Sequence, residues 1–233
     1  MKMQSLNGAW VSRSLAILLV VGAVGALAPT ASADATIVQP SATVLGKGYG
    51  DWSAAWWQWI LSVPTATNPQ LDATGADCAQ RQSGQMWFLA GTFGGSATRS
   101  CTVPAGKYIM FPILNNVYVC FRPTDPDPNC SSVAAMRAAI AGSLDNPTKL
   151  NASIDGANVG NLLTFRAQSP VFTAMLPQGN LFGIQQGAYR PAVSDGYWLI
   201  LQPLSPGSHT IRFEGVENNG FSVDATYNLT IAP

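Results

Sequence analysis

The chain has 233 residues, of which only 10% are charged, with 12 basic and 12 acidic side chains. There is no basic run to neutralise phosphates, so nucleic-acid binding is not expected. So few charges leave surface polarity to Asn, Gln, Ser, Thr and Gly, a composition that fits exported β proteins.

The N-terminus carries Lys2 and Arg13, followed by a 14-residue apolar run over 15–28. That run falls short of the roughly 20 residues a membrane span needs. It ends at Ala31-Ser32-Ala33, a small-x-small cleavage pattern. Residues 1–33 therefore read as a signal peptide, which predicts a secreted or periplasmic protein that does not span a membrane after cleavage. Removal of 33 residues from 233 leaves 200, with 10 basic against 12 acidic groups. That length suits one domain, here 49–233, behind a small, polar stretch at 34–48 that reads as a flexible leader arm.

A helix is predicted over 51–63, opened by Asp51 as N-cap and stopped by Pro64. Trp52, Trp56, Trp59 and Val63 share one of its faces, and Trp57 and Leu61 lie nearly opposite. Residues 64–85 read as a long loop, and 86–90 as an apolar strand. Residues 99–103 and 107–113 read as a hairpin joined across Pro104-Ala105-Gly106. A further strand covers 116–121. Ser131-Ser132 caps a second helix over 133–144, whose Val133, Met136, Ile140 and Leu144 follow helical spacing.

Short strands follow at 150–154, 163–167 and 171–175, then a Gln- and Gly-rich loop over 177–193. Asp195-Gly196 reads as a turn before a buried strand at 197–201. Residues 208–214 and 221–231 alternate apolar with polar, as half-buried antiparallel strands do, with Phe221 on the apolar side. The fold class is mainly β: an antiparallel β-sandwich, immunoglobulin-like or jelly-roll-like, with two short helices.

Four cysteines in an exported chain predict two disulfides. Short loops favour Cys78–Cys101 and Cys120–Cys130. The spacing lacks the C-x2-C unit of a zinc site.

The segments Asp51-Trp52-x3-Trp56-Trp57-x-Trp59, Met86-Trp87-Phe88-Leu89-Ala90-Gly91, Cys101-x-Val103-Pro104-Ala105-Gly106-Lys107 and Phe111-Pro112-Ile113-x-Asn115 carry a resemblance. So do Asp195-Gly196-Tyr197-Trp198 and the Pro-Gly-x-His-Thr-Ile piece around His209. Together, over roughly residues 48–231, they resemble an uncharacterised family of exported bacterial proteins, a resemblance that brings no activity with it. The last piece alone also resembles the final hairpin of bacterial immunoglobulin-like domains, a likeness of fold only.

Candidate chemistry is sparse. His209 is the only histidine, and its strand pattern puts it on the core face. No G-x-S-x-G elbow supplies it with a nucleophile. Glu214 and Glu217, the only glutamates, are the weak catalytic candidates for glycoside hydrolysis, which needs two carboxyl groups about 5 to 9 Å apart. They are expected at a strand end and in a turn, where solvated charges are ordinary. Asp125, Asp127 and Asn129 have a calcium-loop rhythm, but lack the glycine and the final glutamate of an EF-hand. Trp57, with Gln58, is the candidate ligand surface, where a sugar or aromatic ring stacks. No cofactor signature is present. The favoured function is a non-enzymatic binding domain for a small molecule, glycan or protein. A secreted glycan hydrolase with dispersed carboxylates and a structural cell-envelope component remain as alternatives.

Overall fold

The computed structural model describes residues 35–121 and 126–233. The segment read as a signal peptide, and Asp125, lie outside the described residues.

Helix α1 runs Tyr49–Ser62. It begins earlier than expected, because Asp51 acts from the third helical position, its carboxylate accepting from the Gly48 amide at 3.2 Å. Pro64 ends it as predicted. Gly50 lets the first turn touch the sheet: a Cβ there would lie 2.4 Å from the Gln168 carbonyl. The helix is buried on both sides. The Trp52, Trp56 and Trp59 indoles donate to the carbonyls of Val44, Leu89 and Gln80, so the helix staples three separate segments.

The strands are β1 (Met86–Phe88), β2 (Gly95–Pro104), β3 (Tyr108–Val119), β4 (Lys149–Ile154), β5 (Ala157–Asn158), β6 (Arg166–Gln168), β7 (Phe172–Leu176), β8 (Gly187–Leu201), β9 (Gly207–Val216) and β10 (Ser222–Ala232). The second helix, α2, runs Val133–Leu144 as predicted, with the Ser132 hydroxyl capping the Ala135 amide. One sheet has the order β1-β3-β8-β6, with β7 also on β8; the other is β2-β10-β9-β4-β5. The protein is mainly β, with two helices and both expected disulfides, Cys78–Cys101 and Cys120–Cys130. Each contributes roughly 3 kcal/mol in the chain-entropy account.

The layers follow from which residues alternate inward. β8 is buried on both faces from Ala192 onward. Its Trp198 meets Trp56 of α1 at 5.5 Å. On the other side of that sheet, Phe111 stacks on Phe213 of β9 at 4.9 Å. Gly215 admits Leu114, whose Cγ stands 2.3 Å from where a Cβ would be. Helix α2 places Met136 and Ile140 in a smaller cluster with Cys120 and Val193.

Two elements shift, since Leu162–Phe165 is a 3-10 turn where a strand is expected and β8 begins at Gly187 inside the expected loop; five further expectations need correction. First, the sheets are mixed: β1 pairs with β3, and β2 with β10, in parallel. Second, residues 99–103 and 107–113 form no hairpin. The chain crosses from one sheet to the other at Pro104-Ala105-Gly106, and Ala105 continues the β2–β10 ladder by donating to Ala232. Third, Asp195-Gly196 is strand interior; glycine is required there because the neighbouring strand β3 leaves no room, with the Leu114 carbonyl and Asn115 at 2.6 and 2.7 Å from a would-be Cβ. Fourth, the part of the leader arm that is described is packed: Ile37 bridges Leu201, Val38 donates to Ile200 at 2.8 Å, and Val38 and Val44 are buried. Fifth, Phe221 precedes β10 and is 39% exposed.

Candidate functional site

Two adjoining depressions flank the segment that follows β5. One, of about 670 Å³, is lined by Ile37, Gln39, Pro40 and Ser41 from the N-terminal segment, and by residues 158–161, Thr164 and Phe165. The other, of about 560 Å³, lies across the same segment against residues 147–150, with Leu162 and Leu163. Val159, Asn161 and Thr164 line both.

The local fold explains the shape. Asp155 and Gly156 take positive φ and turn β4 back into β5. Asn161, also left-handed at φ 57°, then opens a 3-10 turn over Leu162–Phe165. That turn buries Leu162 and Phe165, with Phe165 edge-on to Tyr49 at 6.1 Å. Leu163 is left 66% exposed in the second depression. The side chains of Gln39, Ser41, Asn158 and Asn161 are exposed and make no hydrogen bond among the described residues. Unspent amides and a hydroxyl over apolar groups are the equipment for holding a neutral, hydroxyl-bearing molecule.

The candidates chosen from sequence do not converge on this groove. Trp57 is only 7% exposed and stands perpendicular to Trp56 at 5.0 Å, which removes it as a stacking surface. Gln58 is exposed and donates to the Thr173 carbonyl at 3.2 Å.

Glu214 lies within β9, and Glu217 lies in the turn just after it. Glu214 points outward and pairs with Lys149 at 2.7 Å and Arg212 at 3.5 Å. Glu217, expected in solvent, is 3% exposed and accepts from the Asn116 and Asn219 amides, both at 2.9 Å. The two share no partner and form no acid–base pair.

His209 is buried. Its Nδ1 lies 2.7 Å from the Asp155 carboxylate, and its Nε2 lies 2.9 Å from the Ser205 carbonyl. The Ser205 hydroxyl stands 3.5 Å from that same Nε2. A serine, a histidine and an aspartate are thus together, but not as a catalytic triad. The carbonyl takes the Nε2–H, so that nitrogen is not free to accept the hydroxyl proton. The ring instead ties the turn after β4 to the start of β9.

Asp127 caps its own short 3-10 turn, accepting from the Asn129 amide at 2.9 Å. The Tyr118 hydroxyl first, then that amide, hold its carboxyl below the ordinary range. Asn129 also donates to the Tyr118 hydroxyl at 3.2 Å. Among the described residues, no three His, Cys, Asp or Glu side chains gather as a metal ligand set.

A charged cluster around buried Asp195 has no counterpart among the sequence-based candidates. Arg166 grips fully buried Asp195 through Nε at 3.1 Å and Nη2 at 2.8 Å, and reaches Asp145 at 2.6 Å. Asp195 raises the Arg166 pKa most; burial opposes this, and Asp145 adds to it. Gln168 adds a third donor to Asp195 at 3.1 Å. Every member is held by another, and none lines the groove. The groove residues themselves left one trace in the sequence: the turn-rich string Asp155-Gly156-Ala157-Asn158-Val159-Gly160-Asn161.

No family model, curated protein or solved structure matches this chain. No described helix is long and apolar enough to cross a membrane.

Proposed function

We propose that this is an exported, non-enzymatic binding domain whose groove around residues 158–164 takes a neutral glycan chain. The observation that carries the reading is the contrast in how polar side chains are used. Buried Asp195, Glu217 and His209 are all engaged inside the fold, whereas Gln39, Ser41, Asn158 and Asn161 are unengaged at one groove. Sugar hydroxyls pair readily with amides, and their C–H faces rest on apolar groups such as Ile37 and Val159. The two disulfides fit an oxidising compartment.

The test is titration of the folded protein with a panel of neutral and acidic oligosaccharides, followed by NMR amide shifts. Shifts grouped at residues 39–41 and 158–164, abolished in Asn158→Ala/Asn161→Ala, are expected. Binding that maps elsewhere, or survives that double substitution, refutes the reading.

A further inference from the structure

Both ring nitrogens of buried His209 face oxygen acceptors. Nε2 lies 2.9 Å from the Ser205 carbonyl, which has no proton to give. Nδ1 lies 2.7 Å from Oδ2 of Asp155. A neutral imidazole has one N–H and one lone pair. Placed here, a neutral ring sets that lone pair against an oxygen at one end or the other. The arrangement is satisfied when a second proton sits between ring and carboxylate, so that an imidazolium donates at both ends.

The carboxylate that receives this proton shapes a turn. Its other oxygen accepts from the Thr210 amide at 2.7 Å, and the Asp155 amide donates to the Thr210 carbonyl at 2.8 Å. Asp155 and Gly156 are the two residues between the paired Ile154 and Ala157, and both have positive φ. That is the backbone of a tight hairpin turn, and an aspartate adopts it with help from local side-chain bonds. Beyond the turn, β5 pairs with β4 alone and ends at Asn158. Val159 and Asn161 follow into the groove. One carboxylate, held by a backbone amide and by the ring, thus sets the stretch that carries Asn158 and Asn161.

The surroundings leave this proton to the pair. His209 stands opposite Leu229 of β10, between Ser208 and Thr210 of its own strand, and against Ser205. Among the described residues, Asp155 is the charged group that pairs with it, and Asp155 pairs with no other cation.

We infer that His209 and Asp155 form a proton-dependent latch on the β4–β5 turn, which fixes the groove while the ring is an imidazolium and frees it when the ring is neutral. The effect on binding rests on the glycan reading; the latch itself does not. As pH rises and the ring sheds its second proton, Asp155 loses its ring donor, and Asn158 and Asn161 lose their fixed positions. The release is a local opening at a sheet edge, distinct from unfolding.

The test is NMR of the folded protein from about pH 5 to about pH 9, the span over which histidine serves as a switch. It follows the ring nitrogens of the single histidine and the exchange protection of the Thr210 and Val159 amides, which bond Asp155 and Ala152. Two ring N–H groups are expected at the acidic end and one at the alkaline end. Protection of both amides should fall about tenfold or more across the same transition. Asp155→Asn reverses the sign, because its side-chain amide donates to the lone pair of the neutral ring and not to an imidazolium. In that variant the turn is better protected in alkali. Oligosaccharide affinity should track protection in both proteins. A ring whose proton count stays constant over this range overturns the latch. So does amide protection that ignores the ring's titration, or an Asp155→Asn variant that keeps the original pH dependence. A latch that behaves as stated beside a sugar panel that never binds refutes the groove alone.

Discussion

Arg99 is the sharpest place to test how this fold is held together. It is 1% exposed, and among the described residues its hydrogen-bond partners are carbonyls and a hydroxyl, with no carboxylate. Its Nε donates to the Asp72 carbonyl at 2.6 Å. Its Nη1 reaches Ala90 and Gly91 at 2.8 and 2.9 Å, and its Nη2 reaches Gln70 at 3.3 Å. Nη1 also meets the Tyr227 hydroxyl at 2.7 Å. One guanidinium thereby ties the 70–72 loop, the end of β1 and strand β10 together. Arg99→Met keeps most of the volume and removes the donors. The Tyr227 hydroxyl still donates to Ala90, so the carbonyls of Gln70, Asp72 and Gly91 are the ones left bare. Each buried bare carbonyl costs about 1 to 3 kcal/mol, offset in part because a buried cation is also removed. The net expectation is a loss of about 3 to 5 kcal/mol. For a domain of this size that lowers the melting temperature by about 10 °C or more. Arg99→Lys should recover only part of it, since an ammonium does not span the fork. Thermal melts under non-reducing conditions, followed by circular dichroism, measure both. A loss below about 1 kcal/mol for Arg99→Met, or full stability for Arg99→Lys, refutes the hub.

Trp57→Ala should destabilise nearly as much as Trp56→Ala, each by about 3 to 5 kcal/mol, because both rings are buried. Chemical denaturation of the two variants checks this, and a near-neutral Trp57→Ala contradicts it. Stability should also fall in alkali. Burial chiefly raises the pKa of Tyr49 and Tyr227 above the ordinary value near 10. Above pH 10 the unfolded chain sheds tyrosine protons that the folded chain keeps, so unfolding gains. The contribution is complete below about pH 10 and is lost as pH rises through the folded-state values. Melting temperature should therefore be flat across neutral pH and decline above 10, and Tyr49→Phe should make that decline shallower.

Local pattern was legible in the sequence, and partner choice was not. Strands β4, β7 and β10, helix α2 and both disulfides follow from alternation, caps and loop length, all of which act within a few residues. The hairpin across Pro104-Ala105-Gly106 failed because a short turn with a left-handed glycine fits a sheet-to-sheet crossing equally well. What separates the two is that β2 lies in register with β10, more than a hundred residues away. Asp195-Gly196 looks like a turn in sequence because the cause of the glycine, the close approach of Leu114 and Asn115 on β3, comes from another strand. Trp57 was placed outside by helical angle alone. That angle says which side chains share a face, and it does not say whether a second layer covers the other face.

The same distinction bears on function. In a chain with so few charges, a buried ionisable group is costly unless it is matched, because the interior offers little to screen it. Arg99, Asp195, Glu217 and His209 are matched, and each joins segments far apart in sequence. Their chemistry is thereby committed to the fold: a carboxylate that accepts two or three fixed donors, or a ring held between two acceptors, has no open position for a substrate. Among the exposed polar side chains, those of Gln39, Ser41, Asn158 and Asn161 stand together at one groove and stay uncommitted. Neutral amides at a surface recognise; they do not abstract protons or attack. The proposed glycan groove rests on that contrast between committed ionisable groups and uncommitted neutral ones.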